Sequence, residues 1–424
     1  MESVLDTPPE PVIICGIENE QTDFEYTMDE LGKLAAANNM QVVGDVWQKL
    51  EKPVAATYFG SGKAEEIGRA GTALEAATLV VNDELTPTQI RNLEDITHMT
   101  VMDRTALILA IFASRAHTRE AKIQVKIAQL QYQLPRLHTA GAEKLDQQSA
   151  GGMSNRGSGE TQHEMDRRVI EKRISALNKE LKDIDKEQQV KRKLRDNSGL
   201  KSVALVGYTN AGKSTTMNGL LNLVDNEGAV KSVFTKDMLF ATLDTAVRRL
   251  KFADNKEILL SDTVGFVSKL PHQLVKAFRS TLAEAAQADL LVQVIDASDP
   301  HAPEMVKTTE RTLKEIGVTN IPMIYAYNKA DKTGQPYPLL TGQQLTYSAR
   351  DEESLRTLIT AIKKELFKDN EQHTYLIPFD QGRFLELLNE HATIIKTDYE
   401  EDGTRITAEV SPEIAGRLQQ FIAD

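Results

Sequence analysis

Apolar residues in the first part of the chain follow two alternating rhythms. Short runs such as Val12-Ile13-Ile14, Val42-Val43, Leu79-Val80-Val81 and Val101-Met102 have the length and composition of buried strands. Between them, residues 26–38 (with Leu31, Leu34 and Ala35 on one face), 64–73, 86–95 and 105–114 space their apolar positions as helices do. The alternation predicts a small parallel-sheet α/β domain over 1–116.

The rhythm then changes. Ile123, Ile127, Leu130 and Leu134 are spaced by four, three and four, and Ile170, Ile174, Leu177, Leu181 and Ile184 repeat that spacing further on. Two matching seams predict an antiparallel helical hairpin over 117–197, its seam turned inward rather than toward a second copy. Residues 150–160, Ala-Gly-Gly-Met-Ser-Asn-Arg-Gly-Ser-Gly-Glu, contain four glycines and cannot bury a core. They read as a loop at the hairpin tip, and a linker is the alternative.

Residues 198–370 return to alternating strands and helices. Apolar runs at 203–206, 258–260, 290–295 and 323–327 are strand-like, and a more charged strand covers 246–252. The pattern is doubly wound, so sites belong at the carboxyl ends of the strands. Residues 371–424 read as a small α+β domain with strands near 375–377, 394–395 and 406–408 and helices over 382–391 and 412–422.

Composition narrows the compartment. The chain has 424 residues, 41% of them hydrophobic and 26% charged, as in ordinary globular proteins. Cys15 is the single cysteine, so no internal disulfide forms, which fits a reducing compartment. The acidic start is unlike a secretory leader, and no apolar stretch is long enough to span a bilayer. A cytoplasmic monomer is expected. Net charge is −12, yet residues 115–196 carry 18 Lys and Arg against 12 Asp and Glu. A basic middle in an acidic chain reads equally as a polyanion contact or as a solvated helical face.

The chemistry starts where the doubly wound pattern starts. Gly207-Tyr208-Thr209-Asn210-Ala211-Gly212-Lys213-Ser214-Thr215 is a complete G-x-x-x-x-G-K-[ST] phosphate loop between a strand and a helix. Its glycines let backbone N–H groups face a phosphate, and the helix N-terminus adds positive potential. Lys213 can reach the β- and γ-phosphates, and the Ser214 hydroxyl can ligate Mg²⁺. Asp262-Thr263-Val264-Gly265 ends the next apolar strand, so Asp262 is expected on Mg²⁺ and the Gly265 N–H on the γ-phosphate. Thr242 is the candidate switch threonine on the metal. Asn328-Lys329-Ala330-Asp331 ends a further strand. An aspartate there accepts two hydrogen bonds from guanine, which adenine cannot offer, and Ser348-Ala349 would place an N–H near the guanine oxygen. Phe266 stands where Ras-like GTPases carry a water-orienting glutamine, which predicts slow intrinsic hydrolysis. By contrast Gly60-Ser61-Gly62-Lys63 has the wrong spacing and reads as a turn and helix entry.

Together these motifs, with Phe240-Ala241-Thr242-Leu243-Asp244 and Gly159-Glu160-Thr161-Gln162, resemble the HflX family of GTPases. The resemblance implies a GTP hydrolase that binds the large ribosomal subunit. It implies that the hairpin tip, with Gly152, Asn155 and Arg156, reaches toward the peptidyl-transferase region, and that ribosomes are split or rescued under stress. Asn210 matches the phosphate-loop asparagine of potassium-dependent relatives, which adds K⁺ to GTP and Mg²⁺. In the tip, Met153, Ser154, Asn155 and Ser158 depart from the family's usual residues, as do His163 and Met165 beyond it. Competing readings are a GTP-gated RNA- or protein-binding switch without splitting activity, and a second nucleotide site for ATP in the N-terminal domain.

Overall fold

The structure is a computed structural model. It describes residues 8–19, 23–137, 156–196, 200–224, 239–240, 246–269 and 283–423. The chain divides into two compact units. The first comprises Met1–Lys191, Lys236–Asp244 and Gly265–Thr281, the second Arg192–Thr235, Thr245–Val264 and Leu282–Asp424.

The first unit contains a four-stranded sheet, β1 (Glu10–Glu18), β2 (Met40–Lys49), β3 (Thr78–Val81) and β4 (Thr100–Asp103), in the order β2-β1-β3-β4. Every pairing is parallel, as the βα alternation predicts. The helices α1 (Phe24–Ala37), α2 (Ser61–Ala73), α3 (Pro87–Thr97) and α4 (Arg104–Arg115) connect and follow the strands. Local chemistry sets their starts. Asp23 caps α1, accepting from the Tyr26 N–H at 3.2 Å. Thr86 and Gln89 form a reciprocal capping box on α3, with Pro87 at the first turn. Asp103 caps α4 through the Ala106 N–H at 2.8 Å. Ile13, Cys15, Ile67, Leu79 and Leu93 are fully buried in the core of this sheet. Gly60-Ser61-Gly62-Lys63 is the entry to α2, and Lys63 pairs with Glu66 at 2.8 Å.

Helix α5 (Arg119–Gln133) buries Ile123, Ile127 and Leu130. Helix α6 (Arg156–Asp196) runs for 41 residues, about 60 Å at 1.5 Å per residue. Among the described side chains of α6, Ile170, Ile174, Leu177, Leu181 and Ile184, the apolar positions read from the sequence, are half-buried, and most of the others are exposed. Arg119 at the start of α5 pairs with Glu180 of α6 at 2.6 Å. One boundary differs from the sequence reading, which kept residues up to Glu160 in a loop. The backbone is helical from Arg156. Gly157 and Gly159 each cost about 1 kcal/mol in a helix, and propagation from a long downstream helix outweighs that. Gly152 and Asn155 lie outside the described residues.

The second unit holds a seven-stranded sheet in the order β10-β11-β9-β8-β5-β7-β6. Its strands are β5 (Lys201–Gly207), β6 (Ala246–Lys251), β7 (Glu257–Asp262), β8 (Leu290–Asp296), β9 (Met323–Asn328), β10 (Leu339–Thr341) and β11 (Gln344–Thr346). The five central strands are parallel, and β6 and β10 close the edges antiparallel. Val203, Leu205, Leu260, Val292 and Ala326 bury the sheet against helices α7 (Lys213–Val224) and α9 (Glu352–Leu366), with α8 (Ala302–Glu315) between β8 and β9. This is the doubly wound α/β arrangement that the apolar runs predict. A three-stranded antiparallel sheet, β12 (Glu371–Ile377), β13 (Thr393–Glu400) and β14 (Gly403–Val410), follows in the order β12-β14-β13. It packs its core with α10 (Gly382–His391) and α11 (Pro412–Arg417) around Tyr375, Leu388 and Ile406. The last helix stops at Arg417 and gives way to a 3₁₀ turn over Gln419–Phe421, shorter than the sequence pattern suggests.

Candidate functional site

The phosphate loop leaves the centre of the sheet at Gly207. Its φ is +139°, and a Cβ there would lie 2.2 Å from the Val294 carbonyl oxygen on the neighbouring strand. Asn210 (φ +59°) and Gly212 (φ +99°) continue the left-handed geometry that turns successive N–H groups toward one point. A Cβ on Gly212 would meet the Asn328 amide nitrogen at 2.2 Å, so glycine is needed there too. Helix α7 starts at Lys213, and its end faces the same loop. Tyr208, Thr209 and Ala211 are buried in the loop.

Lys213 is buried, and its Nζ donates to the carbonyls of Gly207 at 3.2 Å and Tyr208 at 2.8 Å. Burial pushes its ammonium down to about 8, against the pull of Asp262, which favours the charge. Asp262 ends β7 with no exposed surface, and its Oδ2 accepts the Ser214 hydroxyl at 2.5 Å. Two hard oxygen groups thus meet at the helix start, the donor set that suits Mg²⁺. The Thr263 hydroxyl donates to the Leu205 carbonyl at 2.7 Å and ties the end of β7 to β5. Val264 is buried in the same stretch. Gly265 and Phe266 belong to the first compact unit, where Phe266 is fully buried. Thr242 lies outside the described residues.

The two other loops converge on the phosphate loop through one side chain. Asn328 Nδ2 donates to the Ala211 carbonyl at 2.9 Å, and its Oδ1 accepts the Ala349 N–H at 2.8 Å. The Ser348 hydroxyl donates to Asp331 Oδ1 at 2.7 Å, orienting that carboxylate. Lys329 adopts the left-handed conformation, φ +63°, and its Nζ pairs with Asp296 Oδ2 at 2.7 Å. Burial raises the Asp296 carboxyl, but the hydrogen bonds from Lys329 and Ser298 outweigh it and hold the group below its ordinary value. Thr215 and Thr216 follow Ser214 on α7, and the Thr216 hydroxyl meets the Tyr347 hydroxyl at 2.6 Å.

The sequence therefore brings Gly207 to Ser214, Asp262, Asn328, Asp331, Ser348 and Ala349 to one end of one sheet. Two partners were not legible beforehand. Asp296 ends a strand, the position where doubly wound folds place functional groups, and that was its only signal. Tyr347 sits just before Ser348 with no motif of its own.

Three protein families match the chain in succession. Residues 25–113 match one described as "GTP-binding GTPase N-terminal", 115–195 one described as "GTP-binding GTPase Middle Region", and 202–329 one described as "50S ribosome-binding GTPase". The GTPase HflX of Caldanaerobacter subterraneus is 41% identical over 97% of this chain and 94% of its own length. The GTPase HflX of Lacrimispora saccharolytica is 38% identical over 96% and 95%. That of Escherichia coli is 36% identical over 94% and 92%.

Proposed function

The chain belongs to the HflX family of GTPases, and from that premise we propose that it hydrolyses GTP on the large ribosomal subunit, in the cytoplasm and as a monomer. GTP hydrolysis itself follows from the family and the P-loop GTPase domain. The observation that carries the ribosomal reading is α6, a 41-residue helix in the basic middle of an acidic chain, most of whose described side chains are exposed. Such a helix neutralises phosphates without reading sequence. Its N-terminal end, at Arg156, adjoins the glycine-rich stretch in the chain. That end would approach the peptidyl-transferase region, and its insertion would split or rescue stalled ribosomes.

Roles in the reaction follow from chemistry. Lys213 would pair with the β- and γ-phosphates, and the loop N–H groups from Gly207 to Ser214 would bind their oxygens. Mg²⁺ held by Ser214 and Asp262, with Thr242, would neutralise charge building on the phosphates. Asn210 is positioned in sequence to take a K⁺ beside them. The Gly265 N–H would contact the γ-phosphate. Asp331 would read guanine, Lys329 would lie along the base, and Ser348 and Ala349 would close the pocket.

Phe266 has no group to orient water, so the free chain should turn over far below the enzyme median of about 10 s⁻¹. Purified large subunits should accelerate it. Deleting 151–159 should abolish that acceleration and leave GTP affinity of the free chain at wild type. Arg156→Ala should weaken subunit pelleting modestly. A deletion that pellets and is stimulated like wild type would reduce the stretch to a linker.

A further inference from the structure

Parallel α/β sheets take ligands at the carboxyl ends of their strands. In the first unit that edge carries Asn82 and Asp83 after β3 and Arg104 after β4. What it holds is a piece of this chain, Ser268 and Lys269. Arg104 is buried, and its Nη2 donates to both the carbonyl and the hydroxyl of Ser268 at 3.0 Å. Glu30, also buried, pairs with Arg104 and accepts the Ser268 hydroxyl, and its other oxygen takes the Ser268 N–H at 3.3 Å. Arg104 Nη1 is fixed in turn by Asn82 at 2.8 Å. Lys269 pairs with Asp83 at 2.5 Å, and Asp83 accepts the Tyr58 hydroxyl.

Ser268 stands three residues beyond Gly265 and six beyond Asp262. The intervening Thr263, Val264, Phe266 and Val267 are all buried. Asp262 is held by Ser214 at one end of this stretch, and Ser268 is held by the Arg104–Glu30 pair at the other. Ser268, three residues beyond Gly265, is thus fixed within the first unit. A second contact points the same way. Phe240, two residues before Thr242, packs edge-on against Phe112 of α4, with ring centroids 4.6 Å apart. Phe240 and Ser268, which lie near the candidate metal residue Thr242 and the candidate γ-phosphate residue Gly265 in the chain, thus both rest on α4 of the first unit.

We propose that Arg104 and Glu30 are positioning residues for GTP hydrolysis: by holding Ser268 they pre-organise the Gly265 backbone toward the γ-phosphate. The proposal rests on the reading of Gly265 as the γ-phosphate contact. Pre-organisation removes the ordering cost from the reacting state. The pair is buried, and Asn82 holds Arg104 independently of Ser268, so releasing Ser268 frees the segment without unfolding either strand end. GDP lacks the γ-phosphate and has no use for that order. The clamp should therefore act on GTP turnover and on GTP affinity, and leave GDP affinity alone.

The test uses the full chain carrying Ser268→Ala, Ser268→Thr or Arg104→Lys. For each, kcat, KM for GTP, and affinities for GDP and a non-hydrolysable GTP analogue are measured, with melting temperature as the folding control. Couplings of this type span about 5- to 150-fold, so Ser268→Ala should lower kcat and the GTP-to-GDP affinity ratio by about five-fold or more. GDP affinity should stay at wild type, and Ser268→Thr, which keeps the hydroxyl, should restore kcat. Wild-type kcat and affinity ratio in Ser268→Ala overturn the proposal. Equal losses for GDP and GTP also overturn it, because they mark a merely structural contact. If Arg104→Lys fails to fold, Ser268→Ala decides alone. Should wild type bind and hydrolyse GTP while every variant matches it, the clamp falls and the site reading stands. If wild type itself fails to prefer the triphosphate analogue over GDP in a Gly265-dependent way, the site reading falls and takes the clamp with it.

Discussion

The Asn328 amide nitrogen donates to the Ala211 carbonyl at 2.9 Å, joining the base-reading loop to the phosphate loop. Its oxygen simultaneously holds the Ala349 N–H at 2.8 Å. Three segments separated in sequence are thus fastened by one buried side chain. Asn328→Ala leaves a buried carbonyl and a buried N–H without this partner, at roughly 1–3 kcal/mol each. The variant should melt several degrees lower and bind GTP weakly. Melting with and without nucleotide checks this. A variant that binds GTP like wild type would show that the loops hold their places unaided.

Much of the fold was legible because each element carries its own local pattern. The four strands of the first sheet, the seam along α6 and the central strands of the second sheet follow from apolar spacing alone. The phosphate loop was legible because strand, glycines and helix start are contiguous. Contacts across long stretches of chain were not. Arg104 and Ser268 lie 164 positions apart, and nothing in Asp103-Arg104 announces a partner. The Lys329–Asp296 and Thr216–Tyr347 pairs have the same character. Each needs elements distant in the chain to be brought side by side, and periodicity says nothing about strand order.

Guanine selection should follow Asp331. Ser348 orients that carboxylate at 2.7 Å, so its second oxygen is left in a defined direction. Asp331→Asn exchanges an acceptor for a donor. GTP affinity should drop by orders of magnitude and xanthosine triphosphate should bind in its place, because that base offers an acceptor where guanine has its amine. Competition between the two nucleotides for the variant measures it. Retained GTP preference would mean that another group reads the base.

Two glycines should respond in opposite ways to alanine. At Gly207 the added carbon meets the Val294 carbonyl at 2.2 Å with φ at +139°, so a strand must move. Gly207→Ala should cost more than about 3 kcal/mol and abolish nucleotide binding. At Gly62, inside α2, the added carbon meets nothing within 4 Å. Gly62→Ala should be neutral or stabilising by up to about 1 kcal/mol, with GTP turnover unchanged. Denaturant unfolding of both variants separates them. A loss of nucleotide binding in Gly62→Ala would revive the N-terminal turn as a phosphate site.

Lys213 makes nucleotide affinity depend on pH. Its ammonium is pushed down to about 8 by burial, from 10.5. Between those values the unfolded chain holds the proton that the folded chain has lost. The Lys213 contribution to stability of the nucleotide-free fold therefore rises with pH across that window. Binding has the opposite sign. A phosphate beside Nζ favours the charged form, so GTP binding above about pH 8 must take up a proton. With a pKa of about 8 in the free protein, GTP affinity should be roughly four-fold weaker at pH 8.5 than at pH 7. Isothermal titration in two buffers of different ionisation enthalpy reads the proton directly. Lys213→Arg keeps its charge throughout this range, so its weaker binding should be flat with pH. A slope that survives in Lys213→Arg would assign the proton to another group.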